Sequence, residues 1–471
     1  MRGRKRSPVT ATASPHLRYP PKMPRTFHIE TYGCQMNVLD SDVVGGILER
    51  AGYAPASDPL SADVVLLNTC AVRGGAETRV LNRLEAIHGE SRKRRGSEAL
   101  LGLMGCVAQA QGEELVARAP FLDLVVGTDR YSELPRLLEE ALHRPGALVD
   151  TTPDPEMTYE GEPRVEPRGV TGFVSVARGC DMSCTFCIVP RTRGPERSRR
   201  PDDVIREVRR LAGRGVCEVT LLGQKVNAYR NGDVRFAELL RSVAQGGGVD
   251  RIRFTSPHPL WVSDDLIRTM KETPQVCPGL HLPLQSGSES VLKRMKRGYS
   301  PSRFLNSVAD LRASMPEIGL TTDIIVGFPG ETDADHEATL EMLREIRFDS
   351  AFMFAYSPRP GTAAAEMSDT VSAEAAQARL REVIDTQEKI GRQRNRAQIG
   401  RGSTVLIEGP SKKRPDEMFG RTPENRSVVL PGDGLEAGSV VDVRIVDAYA
   451  HTLRAEPLAH PAPTSIGDAP C

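Results

Sequence analysis

Cys180-Asp-Met-Ser-Cys184-Thr-Phe-Cys187 places three thiols at positions i, i+4 and i+7, shortly after the apolar run Gly172–Val176. Three thiolates from one loop can bind three irons of a cubic [4Fe–4S] cluster. The fourth iron then has no protein ligand, so a small molecule can bind to it. Because an electron-carrying cluster normally has a fourth cysteine, the segment predicts a reactive cluster beyond the end of a strand.

Two simpler interpretations of these cysteines are a zinc site and a disulfide pair. Zinc usually takes four ligands in two pairs, and no nearby Cys or His completes such a set. The spacing C-x3-C-x2-C, with Phe186 before the last cysteine, resembles the radical S-adenosylmethionine (SAM) superfamily. This resemblance implies that SAM binds the open iron through its amino and carboxylate groups and is split to give a 5′-deoxyadenosyl radical.

Composition sets wider limits on the chain. Its 471 residues predict about three domains. With 62 basic and 62 acidic residues, the formal net charge is zero, so any nucleic-acid surface must be local. There are nine cysteines, and no run of about 18 apolar residues occurs, so we expect a reducing, cytoplasmic location and no membrane span. Residues 1–24 are basic without the apolar core of a signal peptide and are predicted to be a disordered tail.

Residues 25–142 repeat a strand–cysteine–helix pattern three times. Each of Cys34, Cys70 and Cys106 follows an apolar run and precedes a helix-like stretch, and successive cysteines are 36 positions apart. In a parallel α/β sheet the carboxyl ends of neighbouring strands meet at one edge, so the three thiols should come together there. The alternative is three unrelated buried cysteines. The regular placement favours a second three-cysteine cluster, also with an open iron.

The remaining chain divides into three predicted parts. Residues 143–168 contain a loose connector rich in Pro and Glu and are predicted to be a linker. Residues 169–395 alternate strands and helices six times, which predicts a partial (β/α)6 barrel with its site at the strand C-termini, followed by the long helix Ala373–Asn395. Residues 398–459 contain short strands between Gly- and Pro-rich turns, which predicts a small β-barrel. Residues 460–471, which include Cys471, are predicted to be a disordered tail. The fold class is therefore α/β with a C-terminal β-barrel.

Four further motifs narrow the resemblance: Thr31–Asn37, Leu67–Arg73, Met104–Gln109 and Cys187–Gly194. Together they resemble the methylthiotransferases, a radical-SAM family with an N-terminal cluster domain and a C-terminal TRAM domain, over about residues 25–459. The segments Glu408–Arg414 and Gly420–Arg426 resemble the branch that acts on dimethylallyl-adenosine in tRNA, rather than either sister branch. The implied activity is conversion of dimethylallyl-adenosine at position 37 of tRNA to its 2-methylthio derivative.

The family chemistry implies a role for each predicted ligand. Cys180, Cys184 and Cys187 would hold the radical-generating [4Fe–4S] cluster, and Cys34, Cys70 and Cys106 an auxiliary [4Fe–4S] cluster that carries sulfur. SAM would be used twice, once for the radical and once for the methyl group. Gln224, Gln285 and Asp323 follow or lie on strands facing the same rim and are predicted to line the SAM or substrate pocket, with ordinary strand or helix capping as an equal alternative.

Local basic charge is the sequence argument for tRNA. The predicted RNA-binding residues fall in two clusters: Arg191, Arg193 and Arg197, and Lys412, Lys413 and Arg414. Such patches contact phosphates and set affinity and register, while an ordinary solvated charge run is the alternative. An anticodon loop offers unstacked bases to an enzyme of this kind. We also expect separate electron-donor and sulfur-donor proteins and a monomeric chain.

Three competing functions remain open at this point. A sister methylthiotransferase would act on threonylcarbamoyl-adenosine in tRNA or on a ribosomal-protein aspartate. A non-enzymatic Fe–S sensor that binds RNA would share the cysteines and the basic loops but would not form 5′-deoxyadenosine from SAM. A zinc-stabilised RNA-binding scaffold would be colourless and contain no labile sulfide. The methylthiotransferase hypothesis requires the two cysteine triads to face one shared cavity.

Overall fold

The computed structural model describes residues 25–71, 76–95, 99–158 and 169–458. The predicted tails 1–24 and 460–471, including Cys471, lie outside the described residues, as does the part of the predicted linker at 159–168. Within the described ranges no helix is both long enough and apolar enough to span a membrane.

The N-terminal part is a parallel sheet with strand order β2-β1-β3-β4-β5-β6. Its strands are β1 (Thr26–Tyr32), β2 (Ala54–Pro55), β3 (Val64–Thr69), β4 (Leu100–Gly105), β5 (Leu124–Val126) and β6 (Leu148–Asp150). Every residue of β3 and β4 is buried, as expected for central parallel strands covered on both faces. The sheet also extends into the predicted linker, because β6 pairs with β5.

Helices cover both faces of this sheet. They are α1 (Gln35–Arg50), α2 (Ala76–Arg95), α3 (Cys106–Gln111), α4 (Glu113–Arg118) and α5 (Leu134–His143). One apolar core joins α1 and α5 to the sheet, and a second joins α2, α3 and α4 to the other face. Helix α1 begins six residues before the predicted start at Ser41, because Asn37 accepts a hydrogen bond from the backbone N–H of Cys34 at the N-cap.

The central part contains the six predicted β–α units. Its strands are β7 (Thr171–Ser175), β8 (Ala177–Arg178), β9 (Arg197–Ser198), β10 (Glu218–Leu222), β11 (Arg230–Asn231), β12 (Val234–Arg235), β13 (Arg251–Phe254), β14 (Gly279–His281), β15 (Gly319–Val326) and β16 (Ser350–Ala355). Two parallel sheets, β7-β10-β13 and β14-β15-β16, follow each other in chain order, and a parallel bridge between Ile252 and Val276 joins them. Among the described strands no ladder connects β16 back to β7, so the barrel is partial, as predicted.

The central part has eight α-helices among its described residues. They are α6 (Val189–Arg193), which follows the loop with Cys180, and α7 (Pro201–Ala212), α8 (Phe236–Gly246), α9 (Asp264–Glu272), α10 (Glu289–Arg294), α11 (Pro301–Ser314), α12 (Asp333–Ile346) and α13 (Ala373–Arg396), which pack on the outside of the partial barrel. Ser263, Ser300 and Ser372 each accept a backbone N–H at a helix N-cap. A large apolar core joins helices α7 to α13 to one face of the strands β7, β10, β13, β14 and β15.

The C-terminal part is a closed five-stranded barrel with order β17-β18-β19-β21-β20. Its strands are β17 (Gly402–Pro410), β18 (Glu417–Arg421), β19 (Ser427–Pro431), β20 (Val440–Ala448) and β21 (Leu453–Pro457). Strands β18 and β21 have no counterpart in the apolar runs of the sequence, since both are short and rich in charged residues.

The small barrel docks at the N-terminal ends of the partial-barrel strands. Arg251 and Arg253 of β13 donate hydrogen bonds to the backbone carbonyls of residues 421–423. Gly279 and Gly319 begin β14 and β15, and a Cβ on either would meet the backbone of Glu424. The small barrel therefore lies at the opposite end of the strands from the loop with Cys180.

Candidate active site

The first cysteine triad lies in the loop between β8 and α6. Gly179 precedes Cys180 with φ +79°, and a Cβ there would lie 1.9 Å from the carbonyl oxygen of Pro195. The backbone N–H of Cys180 donates to the Gly194 carbonyl at 3.0 Å, which closes the loop. Only glycine fits this close approach of two backbone segments.

Burial controls the ionisation of these thiols. It raises the pKa of Cys187 to about 12 and also raises the pKa of Cys180, and the neighbouring thiols act in the same direction. Arg297 Nη1 donates to Cys184 Sγ at 3.4 Å, and the guanidinium lies over the ring of Tyr299. Buried thiols of this kind ionise when a cation such as iron binds them.

The second triad lies at the carboxyl ends of three neighbouring strands. Cys34 follows β1, Cys70 follows β3 and Cys106 follows β4, and these strands are adjacent in the sheet. A hydrogen bond with Cys70 is the largest cause that lowers the pKa of Cys34 to about 6, and Arg193 acts in the same direction. The three cysteines therefore lie at one edge of the sheet, at the ends of adjacent strands.

Two local features support a bound group at this edge. Gly105 has φ +97°, and a Cβ there would lie 2.3 Å from Asn68 Oδ1, so the chain turns tightly before Cys106. Thr69 Oγ1 is buried without a hydrogen-bond partner beside Cys70. Within the described residues no three His, Cys, Asp or Glu side chains lie close enough to hold one metal ion.

Arg193 connects the two triads. It ends α6, which packs on α3, and its Nε donates to Cys106 Sγ at 3.3 Å. Its Nη1 and Nη2 bind the two carboxylate oxygens of Asp40 at 3.0 and 2.6 Å. The loop that carries Cys187 is therefore fixed directly against the second triad.

The side chains of Arg193 and Arg197, which were predicted to bind RNA, are buried inside the protein. Arg193 is 2% exposed, and Arg197 lies inside the protein with Asp129 and the Arg193 carbonyl as partners. Both side chains hold the cysteine loop against the N-terminal sheet. Arg191 is exposed and contacts the Pro360 carbonyl, and the predicted residues Lys412, Lys413 and Arg414 are exposed between β17 and β18.

The predicted pocket residues lie at or near the carboxyl ends of the barrel strands. Gln224 follows β10, and Gln285 has φ +69° and donates its backbone N–H to the carbonyl of Asp323 at 2.8 Å. The side-chain oxygens of Gln224 and Gln285 are buried without a partner, as suits residues that hold a bound molecule. Asp323 Oδ2 lies 3.2 Å from His281 Nε2.

Two aromatic side chains lie beside Asp323 inside the partial barrel. Phe352 pairs with Asp323 in register and Phe354 with Ile325, so all four residues face the same side of the sheet. The alternate residues of β15, Leu320 and Ile324 among them, face the helices instead. Phe352 is 53% and Phe354 41% exposed, which leaves an apolar surface open in the barrel interior.

Several residues of this site carry no signal in the sequence. Asp40 binds Arg193, which contacts the second triad, and Arg297 donates directly to Cys184 of the first triad. Each of these two residues lies far from its partner along the chain, so no local sequence pattern points to it. Phe352 and Phe354 alternate with Ala351, Met353 and Ala355 in one apolar run, so periodicity alone does not show which face is open.

Comparison with known proteins defines the class. Residues 26–127 match the family model described as uncharacterized protein family UPF0004, residues 174–343 the radical SAM superfamily and residues 396–458 the TRAM domain. The fold is similar to the radical SAM methyltransferase TsrM from Kitasatospora setae, with a TM-score of 0.53 and 15% identity over 73% of this chain and 77% of that chain. The fold and its cysteine loop are thus those of a radical SAM enzyme, a class that uses SAM and a [4Fe–4S] cluster.

Close relatives identify the family. The chain is 43% identical over 443 residues to the tRNA-2-methylthio-N(6)-dimethylallyladenosine synthase of Moorella thermoacetica, covering 92% of this chain and 99% of that protein. It is 45% identical over 459 residues to the enzyme of the same name from Salinispora arenicola, covering 95% and 91%. The chain belongs to the radical-SAM methylthiotransferase family, on the branch of the tRNA-2-methylthio-N(6)-dimethylallyladenosine synthases.

Proposed function

We propose that this enzyme converts N6-(dimethylallyl)adenosine at position 37 of tRNA to 2-methylthio-N6-(dimethylallyl)adenosine. The observation that carries the proposal is the contact of Arg193, on the loop of the first triad, with Cys106 of the second. This contact supports a single reaction chamber between the two triads. Two relatives named tRNA-2-methylthio-N(6)-dimethylallyladenosine synthase, matched over 99% and 91% of their length, add independent support.

A radical mechanism suits the target atom. The C2–H bond of adenine is neither acidic nor polar enough for general acid–base catalysis. Cys180, Cys184 and Cys187 would hold the cluster that, together with bound SAM, would supply radical chemistry at this carbon, and Cys34, Cys70 and Cys106 would hold a second cluster that would supply the sulfur. The product gains one sulfur and one methyl group relative to the substrate, and the methyl group would come from a second molecule of SAM.

The chain's own residues bind and orient these groups. The two triads provide thiolates from buried loops, which exclude water from the reaction. Arg297 and Arg193 each donate a hydrogen bond to one thiol. Gln224 and Gln285 present buried amide oxygens with no protein partner, and we propose that these accept hydrogen bonds from SAM or the base. Asp323, held by His281, would complete this polar side.

The substrate adenine carries an apolar five-carbon group, and the open face of β16 suits it. Phe352 and Phe354 expose aromatic surface in the barrel interior, one strand from Asp323. Aromatic side chains bind unstacked bases and apolar groups by contact area, each base stack contributing about 1–3 kcal/mol. We propose that the dimethylallyl group lies against these two rings.

The remaining tRNA contacts would come from exposed basic residues. Arg191 lies near the barrel mouth, and Lys412, Lys413 and Arg414 lie on the small barrel. Since the small barrel docks at the far end of the strands, a tRNA that touches both must run along the side of the molecule. We further propose a cytoplasmic monomer that receives electrons and sulfur from separate donor proteins.

The decisive experiment is mass spectrometry of tRNA nucleosides from a strain that lacks the gene. We expect 2-methylthio-N6-(dimethylallyl)adenosine to disappear and N6-(dimethylallyl)adenosine to accumulate. The wild-type gene should restore the product, and a gene with either triad changed to alanine should not. Persistence of the product in the deletion strain would overturn the proposal, and loss of a threonylcarbamoyl derivative instead would indicate the sister activity.

A further inference from the structure

Arg193 makes three hydrogen bonds in a site with almost no solvent. The side chain is 2% exposed and that of Asp40 is fully buried. Two guanidinium nitrogens bind the two oxygens of Asp40, and the third, Nε, donates to Cys106 Sγ at 3.3 Å. The bidentate pair fixes the plane of the guanidinium, so the direction of Nε toward the sulfur is fixed as well.

A buried ion pair of this type needs a reason other than stability. Replacing such a pair by apolar residues is often neutral or stabilising, because both charges lose their hydration. Here the pair presents one N–H donor to a thiol while the carboxylate balances the charge of the guanidinium. Tyr131 adds a hydroxyl 3.4 Å from Asp40 Oδ2, which helps to hold the carboxylate.

The first triad has a different environment. Arg297 donates to Cys184 at 3.4 Å, but it lies over the ring of Tyr299, with the Tyr299 hydroxyl 3.5 Å from its Nε. Among the described residues each triad thus has an arginine donor, Arg297 at Cys184 and Arg193 at Cys106, and the second of these arginines is paired with a carboxylate. Hydrogen bonds to cluster sulfurs and nearby net charge set the reduction potential of an iron–sulfur cluster.

We propose that Arg193 and Asp40 together tune the reduction potential of the auxiliary cluster and hold it in register with the loop of the first triad. The inference rests on the proposed function, since it requires a cluster on Cys34, Cys70 and Cys106. Arg193 acts as a positioning residue through Cys106. The donor on Nε favours the reduced cluster, and the carboxylate of Asp40 opposes this effect. The two residues therefore act on the potential with opposite signs.

Redox titration of the full-length, two-cluster protein, followed by EPR, tests this pair. The signals are assigned with the two triple-alanine variants. We expect Arg193→Lys, which keeps a charge for Asp40 but lacks a second fixed donor, to make the auxiliary midpoint potential more negative. Asp40→Asn should make it more positive, because the guanidinium charge is no longer balanced. The potential of the other cluster should stay unchanged in both variants.

Arg199→Lys is the matched control. Arg199 is 3% exposed, lies in the same arginine-rich segment and binds Glu207 at 2.6 Å. Like Arg193→Lys, the Arg199→Lys variant keeps the positive charge beside a buried carboxylate and loses the guanidinium donors, but it should not move the auxiliary potential. An unchanged potential in Arg193→Lys, or an equal shift in Arg199→Lys, would overturn the inference.

Cluster loading separates the remaining outcomes. Loss of auxiliary iron in Arg193→Lys, with Arg199→Lys fully loaded, supports the positioning role even where no potential is measurable. If the Asp40→Asn variant does not fold, the comparison of Arg193→Lys with Arg199→Lys still tests whether Arg193 affects the auxiliary cluster. About four irons in the wild-type chain instead of about eight would remove the auxiliary cluster itself, which is a failure of the proposed function and not of the tuning.

Discussion

Arg178 and Asp129 form an ion pair of 2.6 Å in which the two side chains are 1% and 6% exposed. Arg178 ends β8, two residues before Cys180, and Asp129 follows β5 of the N-terminal sheet. Arg197, just beyond the cysteine loop, binds the same carboxylate. One aspartate of the N-terminal domain thus holds both ends of the loop that carries the first triad.

We expect Asp129→Ala to destabilise the protein by about 3–5 kcal/mol, because it leaves two buried guanidinium groups without their carboxylate. Denaturant unfolding measures the change. Glu337→Ala is the control: Glu337 pairs with Arg344 on the surface, where both side chains are 53% exposed, so the loss should stay below about 1 kcal/mol. Equal effects of the two substitutions would contradict a structural role for the buried pair.

Iron content tests both cysteine triads. The wild-type chain should contain about eight irons with matching sulfide, and about four after either triad is changed to alanine. Cys277→Ala provides a control, since Cys277 is also buried but belongs to neither triad. Colourless protein containing zinc would favour the scaffold hypothesis instead, and iron loss in Cys277→Ala would show that loading reports on folding alone.

Gly179→Ala should abolish loading of the first triad. The new Cβ would lie 1.9 Å from the Pro195 carbonyl oxygen, and neither backbone can move without opening the loop. Gly52→Ala is the matched control because Gly52 also has positive φ, +90°, but no atom within 4 Å of the added Cβ. It should cost only about 1–2 kcal/mol of backbone strain and leave the iron content intact. Normal loading of Gly179→Ala would show that the loop tolerates a different path.

Phe354→Ala should reduce the preference for a prenylated substrate. In fluorescence anisotropy, wild-type protein should bind an anticodon stem-loop with dimethylallyl-adenosine more tightly than one with plain adenosine. Removing the ring should reduce the ratio of the two affinities roughly tenfold, since one aromatic contact contributes about 1–3 kcal/mol. Phe121→Ala, at the N-terminal domain, should keep the preference. If Phe354→Ala discriminates as well as wild type, the dimethylallyl group lies elsewhere.

Charge removal on the small barrel should change the salt dependence of tRNA binding. Changing Lys412, Lys413 and Arg414 to glutamine should make the negative slope of log K against log salt shallower, by about 0.7–0.9 for each phosphate that the variant no longer binds. Lys389→Gln, on the exposed side of α13, should leave the slope unchanged. A slope that does not respond to the triple substitution would mean that this loop is an ordinary solvated charge cluster.

The fold could be predicted from the sequence where apolar runs were long. Strands such as β3 and β4 are buried on both faces, so they appear as continuous apolar segments that end at a cysteine. Strands β18 and β21 could not be predicted, because they gain their order from pairing inside a closed barrel and not from local propensity.

The arginine run after Cys187 shows the main limit of sequence analysis. Arg193 and Arg197 have the pattern of an RNA-binding patch, but their carboxylate partners Asp40 and Asp129 lie 153 and 68 residues away in the chain. A cluster of basic residues in sequence does not distinguish phosphate contacts from buried ion pairs. The ion pairs form only when the N-terminal and central parts of the chain pack together, and the local sequence does not show this packing.

The anchoring of the cysteine loop by Asp40 and Asp129 has a consequence for biosynthesis. Translation delivers the N-terminal sheet first, so both aspartates are already in place when Cys180 leaves the ribosome. The earlier domain then acts as a template on which the later loop takes shape before metal is loaded. A circular permutant that makes this loop first would have to receive its iron without that template.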